Sequence, residues 1–283
     1  MKLIINHVTY EYDKGMAHSV KALDDITLTI DQGEFIGIAG HTGSGKSTLI
    51  QHFNGLLKPT EGEVYFEGED IYEKKYDRKK LRRKIGMVFQ YPEHQLFADT
   101  VFDDVCFGPK NLGYDRKQAE LNAYAALKQV GLEDEYFYQA PFAMSGGQKR
   151  KAAIAGVLAI KPEIIILDEP TAGLDPGAQK DVLGILRDLH KSGTTVIMVS
   201  HNMDHIAEYA ERAIVLDKGR KVLDGDVREV FAHEDIITKA GLDIPEMVKL
   251  GKELKKMGVP VPEDMYTYEE AKTEILKAFD FPV

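Results

Sequence analysis

One stretch of the chain decides its fold: residues 35–53 read Phe-Ile-Gly-Ile-Ala-Gly-His-Thr-Gly-Ser-Gly-Lys-Ser-Thr-Leu-Ile-Gln-His-Phe. The apolar run 35–39 predicts a buried strand, and the apolar residues near the end of the stretch fall on one face of a helix. Between them stands the glycine-rich turn Gly40-x-x-x-x-Gly45-Lys46-Ser47. This order of strand, turn and helix is typical of a phosphate-binding loop. A chance glycine-rich loop is the alternative, but it does not explain the complete pattern in this context.

The chemistry of the loop favours a nucleotide as ligand. Glycines let backbone N–H groups point inward at an anion, and the helix N-terminus adds its positive dipole end. Lys46 supplies a mobile charge for the outer phosphates, and Ser47 offers a hydroxyl to Mg²⁺. The loop residues that we expect to bind the nucleotide are Gly40, His41, Thr42, Gly43, Ser44, Gly45, Lys46, Ser47 and Thr48. The loop alone does not specify the reaction.

Composition limits the possible classes of protein. The 283 residues, of which 43% are hydrophobic, suffice for one large α/β domain or for a domain plus an appendage. A net charge of −10 argues against a chain-wide affinity for nucleic acid or anionic lipid, so we expect no nucleic-acid partner. Eight basic residues within 74–84 favour a solvated helical face, with a nucleic-acid patch as the alternative. The single cysteine, Cys106, excludes an internal disulfide and is typical of a reducing cytosol.

Alternating apolar strands and helices predict an α/β fold. Continuous apolar runs at 164–167 and 195–199 are typical of buried parallel strands, whose C-terminal ends hold ligands in such sheets. We therefore predict a P-loop nucleotide-binding domain with a mainly parallel core sheet, an antiparallel β subdomain, a helical insertion and a small C-terminal helical extension. The predicted boundaries are 1–230 for the nucleotide-binding domain, about 99–160 for its helical subdomain and 231–283 for the extension.

The extension carries an apolar stripe at helical spacing. Its members are Ile244, Met247, Val248 and Leu254, and such a stripe must be buried against something. We expect it to serve subunit assembly, with packing on the chain's own core as the alternative.

Polar residues that follow the apolar runs are candidates for catalysis. Asp168 can hold Mg²⁺ opposite Ser47, and Glu169 can polarise an attacking water. A solvated strand end is the alternative for this acidic pair. His201 follows the 195–199 strand and fits a contact to the γ-phosphate, with a surface histidine or a metal pair with His205 as alternatives.

Six motifs in this order resemble those of the ATP-binding cassette (ABC) ATPase family, over roughly residues 3–230. They are the phosphate loop, Gln90 at a strand end, Met144-Ser145-Gly146-Gly147-Gln148, the run ending in Asp168-Glu169-Pro170, Ala172-Gly173-Leu174-Asp175, and His201. The resemblance implies ATP and Mg²⁺ as cofactors and Glu169, His201 and Lys46 as catalytic residues. It implies that Ser47, Gln90 and Asp168 are ligands of Mg²⁺, and that Gln90 also contributes to the ATP site.

The same resemblance implies a two-chain arrangement. Ser145, Gly146, Gly147 and Gln148 would close on ATP bound to the opposite subunit, and Asp175 would lie on the loop that crosses the dimer interface. Tyr12 is placed like the adenine-stacking aromatic of the family, with a core or edge-strand tyrosine as the alternative.

Within this family the chain is most similar to the second ATPase subunit of energy-coupling factor transporters. The stretch 92–97, Pro-Glu-His-Gln-Leu-Phe, and the C-terminal extension carry this resemblance. It implies a second ABC ATPase subunit as partner, in a heterodimer rather than a homodimer, with a transmembrane T subunit and a substrate-binding S subunit. It also implies uptake of a vitamin or a transition-metal ion, and a peripheral position on the cytoplasmic face of the cell membrane. The ATPase of an ordinary ABC importer or exporter is the alternative.

The stretch 92–97 also suggests a docking surface for the T subunit. We expect Leu96 and Phe97 to be apolar anchors, and Glu93, with nearby Asp103 or Asp104, to be the charge partner of arginines. Packing of the helical insertion onto the core is the alternative role of the two apolar side chains.

Overall fold

The computed structural model describes residues 2–16 and 18–279, which form two sheets flanked by helices. The strands in chain order are β1 (Lys2–Tyr12), β2 (Val20–Asp31), β3 (Phe35–Ala39), β4 (Glu61–Phe66), β5 (Glu69–Asp70), β6 (Ile85–Val88), β7 (Ile164–Asp168), β8 (Thr195–Val199), β9 (Arg212–Asp217) and β10 (Arg220–Asp226). The smaller sheet is antiparallel with the order β2-β1-β4-β5. The larger sheet has the order β10-β9-β3-β8-β7-β6 and is parallel except for β10.

Eleven α-helices lie in the described residues. In chain order they are α1 (Lys46–Phe53), α2 (Arg78–Lys84), α3 (Val101–Asn111), α4 (Arg116–Gln129), α5 (Gly146–Leu158), α6 (Pro176–Lys191), α7 (Met203–Tyr209), α8 (Val227–Ala232), α9 (Glu234–Lys239), α10 (Glu246–Lys256) and α11 (Tyr268–Ala278). The helices α3, α4 and α5 pack on one another, as expected for a helical insertion. The predicted α/β fold class is therefore confirmed.

The parallel sheet determines where the functional residues lie. Every residue of β3, β7 and β8 is buried, because helices or the second sheet cover both faces. In register, Ile197 of β8 pairs with Ile36 of β3 on one side and with Ile166 of β7 on the other. The three strands therefore end at the same edge of the sheet, and the segments that follow them meet there.

The sequence predicted the long apolar elements better than the short polar ones. The strand β6 ends at Val88, two residues before Gln90, which was expected at a strand end. The basic stretch is helical only from Arg78, and Leu81 is the one buried side chain of that helix. The strand β10 was not predicted, because its half-exposed, charged sequence lacks an apolar run. Cys106 is fully buried.

The C-terminal extension packs on its own chain. Val248 and Tyr266 join the main core, while Met247 and Leu254 lie on a small separate cluster built on Val261, Met265 and Ala271. The alternative of packing on the chain's own core therefore accounts for much of the predicted stripe. The predicted domain boundaries stay a prediction: the one at residue 230 falls within α8, and residues 280–283 of the extension lie outside the described residues. None of the helices described has both the length and the apolar character needed to cross a bilayer.

Candidate functional site

The phosphate loop joins β3 to α1 through positions that only glycine fits. Gly43 and Gly45 have φ angles of +82° and +103°. A Cβ atom on Gly45 would lie 2.5 Å from the carbonyl oxygen of Ala22, and one on Gly40 would lie 2.3 Å from Oγ of Ser44. The loop therefore curls tightly and presents its backbone N–H groups ahead of the α1 N-terminus, where they can bind an anion.

Lys46 is the cation of the loop. Its Nζ donates hydrogen bonds to the carbonyl oxygens of Gly40, at 2.6 Å, and His41, at 3.0 Å. Burial lowers the pKa of Lys46, and the negative charges of Glu169 and Asp168 act in the opposite direction. The ammonium is thus largely shielded from water, which strengthens its attraction to a phosphate.

Ser47 and Asp168 come from different elements and meet at the sheet edge. Oγ of Ser47 donates to Oδ2 of Asp168 at 2.8 Å. Burial raises the pKa of Asp168 from its ordinary value, the hydrogen bond from Ser47 lowers it, and the nearby negative charge of Glu169 raises it. A hydroxyl and a carboxylate are hard oxygen donors that suit Mg²⁺, which takes few protein ligands and completes its shell with water and phosphate oxygens.

Glu169 and His201 form the second polar pair of the site. Oε1 of Glu169 accepts hydrogen bonds from the backbone N–H of His201, at 3.1 Å, and lies 2.8 Å from its Nδ1. The φ angle of Glu169 is +49°, a left-handed conformation that costs a non-glycine residue ~1–3 kcal/mol. This strained turn brings the carboxylate of Glu169 to the same edge as Asp168. His205 was the alternative metal partner of His201. Its Nδ1 lies 3.5 Å from Oγ1 of Thr171.

One cavity of about 460 Å³ unites most of the predicted site residues. Its lining includes Tyr12, Thr42, Gly43, Gly45, Lys46, Ser47, Thr48, Gln90, Asp168, Glu169 and His201. The other predicted loop residues, Gly40, His41 and Ser44, do not line it; His41 lies 3.1 Å from a carboxylate oxygen of Asp217. The lining also includes Val20, Lys21 and Ala22 at the start of β2, which no sequence motif indicated.

Tyr12 stands at the mouth of this cavity. Its hydroxyl lies 3.2 Å from Oγ1 of Thr48, and its ring packs edge-on against Tyr10 with centroids 4.8 Å apart. The side chain is 39% exposed, which leaves ring surface free for a planar ligand. A place on β1 next to the cavity fits both the adenine-stacking interpretation and the edge-strand alternative.

The signature residues lie apart from the cavity. Ser145 is the N-cap of α5: its Oγ accepts from the N–H of Gln148, and the side chain of Gln148 accepts from the N–H of Ser145. Gly146 is exposed at the first turn of α5. Asp175 caps α6 by accepting from the N–H groups of Gly177 and Ala178. Within one chain, these residues do not complete the site around Lys46.

The expectation that Glu93 is a free charge partner is wrong. Its carboxylate is only 14% exposed and binds the buried guanidinium of Arg150, with Nε to Oε2 at 2.8 Å. Asp104 accepts the N–H groups of Phe97 and Ala98, and Asp103 binds the hydroxyl of Thr100. All three carboxylates therefore have partners within the chain.

The two predicted apolar anchors, Leu96 and Phe97, differ from each other in exposure. Phe97 is 64% exposed and packs edge-on against Phe107, whereas Leu96 is partly buried against the main core. Both line an apolar groove of about 240 Å³, which continues over Val105, Ala153 and Gly156. Phe97 is therefore accessible to a partner, and Leu96 serves partly in packing.

Comparisons with known proteins agree with the motifs. The ABC transporter family matches residues 23–172. The energy-coupling factor transporter ATP-binding protein EcfA2 of Caldanaerobacter subterraneus is 48% identical, over 98% of this chain and 97% of that protein. The protein of the same name from Clostridioides difficile is 46% identical, over 98% and 97%.

Two solved structures are similar in fold and sequence. The structure of cbiO1 from Clostridium perfringens, described as part of the ABC transporter complex cbiONQ, has a TM-score of 0.74 and 37% identity, covering 90% of this chain and 96% of that one. The dimeric cassette MJ0796 bound to ADP and Pi has a TM-score of 0.69 and 32% identity, covering 80% and 98%. With these relatives and this site, the chain belongs to the ABC transporter family of ATPases, among the energy-coupling factor transporter ATP-binding proteins.

Proposed function

We propose that this chain hydrolyses ATP in the cavity around Lys46 to energise an energy-coupling factor transporter. The observation that carries this proposal is the meeting of two polar pairs, Ser47 with Asp168 and Glu169 with His201, beside the loop cation. Phosphoryl transfer needs neutralised phosphates and an oriented water, and the cavity contains groups for both.

Each side chain has a distinct part in the proposed reaction. Lys46 and the N–H groups of the loop bind the β- and γ-phosphates. Ser47, Asp168 and Gln90 would hold Mg²⁺, which neutralises charge that develops on the phosphate oxygens. Glu169 orients the attacking water and accepts its proton, while His201 holds Glu169 and contacts the γ-phosphate. Tyr12 stacks on the adenine.

The second half of each site comes from a second ABC ATPase subunit. The α5 N-terminus is exposed and lies apart from the cavity of its own chain, which supports a facing arrangement of two chains. One solved relative is described as dimeric. We propose a heterodimer, in which Ser145, Gly146, Gly147 and Gln148 contact the nucleotide of the partner and Asp175 lies at the interface.

The proposed complex also contains a transmembrane T subunit and a substrate-binding S subunit, and takes up a vitamin or a transition-metal ion. The chain would then be peripheral on the cytoplasmic face of the membrane. The relatives named as energy-coupling factor transporter proteins support this assembly. The apolar groove with Phe97 is the proposed docking place of the T subunit, through apolar contact rather than through Glu93.

Replacing the proposed base tests the reaction. Glu169→Gln keeps the shape of the side chain but cannot take up a proton, so we expect turnover to fall by ~10²–10⁴-fold. ATP binding, which rests on the loop, is expected to persist. Steady-state hydrolysis and equilibrium ATP binding by the full chain, purified with its partner subunits, measure the two quantities. Wild-type turnover in this variant would refute the proposed role of Glu169.

Replacing the exposed aromatic of the groove tests docking. Phe97→Asp places a charge in an apolar contact, so we expect loss of the co-purifying membrane subunit while ATP binding by the chain is retained. The control is Met257→Asp, which alters a similarly exposed apolar side chain in the extension. Co-purification in detergent is the measurement, and equal retention of the membrane subunit by both variants would place the docking surface elsewhere.

A further inference from the structure

Arg150 is the largest side chain that is fully buried in the described residues. It lies on α5, five positions after the signature serine. Its guanidinium binds both carboxylate oxygens of Glu93, with Nε to Oε2 at 2.8 Å and Nη2 to Oε1 at 3.0 Å. No sequence motif assigns it a role. Its burial is nonetheless unusual, because an arginine side chain is rarely fully buried unless it is paired.

The remaining donors of Arg150 hold one short piece of backbone. Nη1 donates to the carbonyl oxygen of Pro170 at 2.6 Å, and Nη2 donates to that of Ala172 at 3.0 Å. Nη1 also lies 3.5 Å from the carbonyl oxygen of Glu169. A planar guanidinium can bind a carboxylate and two carbonyls at once because its donors form a fixed fork, which a lysine ammonium lacks.

This piece of backbone is the one that sets the direction of Glu169. Glu169 has a left-handed φ angle, and such strain persists only where the surroundings hold it. The N–H of Glu169 is held by Val199, and the carbonyls that follow it are held by Arg150. The carboxylate of Glu169 is therefore aimed by contacts on both sides of its own peptide.

Glu93 connects this arrangement to the segment after Gln90. It lies in a 3-10 turn, Pro92–Gln95, whose neighbour Leu96 lines the apolar groove. We propose that Arg150 is a positioning residue for Glu169: paired with Glu93, it holds the strained backbone after Glu169 and joins it to the segment that borders the groove. This inference rests on the proposed role of Glu169 as the base.

The test is Arg150→Lys, which keeps the charge beside Glu93 but loses the fork. We expect kcat for ATP hydrolysis to fall by about 10–100-fold, the size of effect that a small misplacement of a reacting group produces. ATP affinity should stay at the wild-type value because no contact of Arg150 reaches the phosphate loop. Glu93→Gln, which keeps the shape but removes the charge partner, should change kcat in the same direction. All variants are assayed as the full chain with its partner subunits.

A double-mutant cycle separates positioning from loss of stability. If Arg150 acts through Glu169, then adding Arg150→Lys to Glu169→Gln should lower the residual single-turnover rate no further. The matched control is Arg212→Lys, since Arg212 binds the carboxylate of Asp224 and the carbonyl of Thr29 far from the cavity. We expect this control to lower the melting temperature and to leave kcat unchanged.

Two results would overturn the proposal: wild-type kcat in both Arg150→Lys and Glu93→Gln, or an equal fractional loss from Arg150→Lys in the presence and absence of Glu169. A Glu169→Gln variant with wild-type turnover would instead refute the role of Glu169 itself. The cycle therefore distinguishes failure of the positioning role from failure of the proposed function.

Discussion

The phosphate-loop cavity and the signature end of α5 are both helix N-termini to which we assign phosphate binding, but they are built differently. Around Lys46, side chains from α1 and from the ends of β7 and β8 bind one another: Ser47 with Asp168, and Glu169 with His201. At the start of α5, Ser145 and Gln148 bind only each other, and the helix end is exposed. The first region is assembled within one chain, whereas the second is a capped helix terminus whose residues do not line the cavity around Lys46.

This difference predicts separate roles for the two regions: the cavity binds the nucleotide, and the signature end acts on a nucleotide bound by another chain. A preassembled cavity can bind a nucleotide by itself, because its charges and donors already converge. An exposed helix end can only add to a nucleotide held elsewhere. Substitutions in the cavity should therefore alter binding or stability in the single chain, and substitutions at the signature should act only in the assembled complex.

The largest effect at the signature end is expected for Gly146→Asp. A Cβ atom there meets nothing within 4 Å in the chain itself, so folding should be unaffected. The added carboxylate would oppose the phosphates of the partner's nucleotide, and losing such an anion contact costs about 10²–10³-fold in turnover. ATP binding by the single chain should remain normal. Hydrolysis by the complex and ATP binding by the chain alone are the two measurements.

The same substitution at Gly184 is the control for Gly146→Asp, because a Cβ atom there also meets nothing within 4 Å. Gly184 lies within α6 and outside the signature, so Gly184→Asp should retain turnover. If Gly146→Asp weakened ATP binding by the single chain, the proposed division between the two regions would be wrong.

A smaller effect, on binding, is expected for Lys46→Ala. The variant removes a charge-assisted hydrogen bond to phosphate, worth ~1.5–3 kcal/mol, so ATP affinity of the single chain should fall by about 10–100-fold. Equilibrium titration with ATP measures it. Lys149→Ala, on α5, is the comparison and should leave this affinity at the wild-type value. An unchanged affinity in Lys46→Ala would mean that the nucleotide binds elsewhere.

The smallest effect concerns stability and pH. Burial raises the pKa of Asp168 in the folded chain above the ordinary value of 3.8 that applies to the unfolded chain. At a pH between the unfolded and the folded pKa, the folded chain therefore binds more protons than the unfolded chain. The free energy of unfolding therefore falls as pH rises through that window. At neutral pH the folded chain bears the full cost of burying the ionised carboxylate. Asp168→Asn removes this cost and should therefore raise the melting temperature at pH 7.

The gain from Asp168→Asn should vanish below pH 3.8, where both states of the wild-type carboxyl are protonated. Asp235→Asn, which alters an exposed carboxylate 3.6 Å from Lys239, should change the melting temperature little at either pH. Thermal melts across pH are the measurement. A lower melting temperature for Asp168→Asn at pH 7 would show that the hydrogen bond from Ser47 outweighs burial.

The sequence predicted what depends on local pattern. The runs that became β3, β7 and β8 are continuously apolar, and the glycines of the phosphate loop stand at fixed spacing, so both were recognisable. The pairing of Glu93 with Arg150 was not, because it joins positions 57 residues apart and no local pattern links them. Glu93 was accordingly mistaken for a surface charge.

The helix α5 has a consequence for how two nucleotide sites would behave together. Its exposed end carries Ser145. Five residues further on, about 7.5 Å along the axis, Arg150 holds the backbone next to Glu169. If the partner's nucleotide displaces that end in the proposed dimer, we expect the backbone behind the proposed catalytic carboxylate to shift with it. In the proposed dimer the two sites would not hydrolyse ATP independently. The rate of hydrolysis should then depend cooperatively on ATP concentration, with a Hill coefficient above unity.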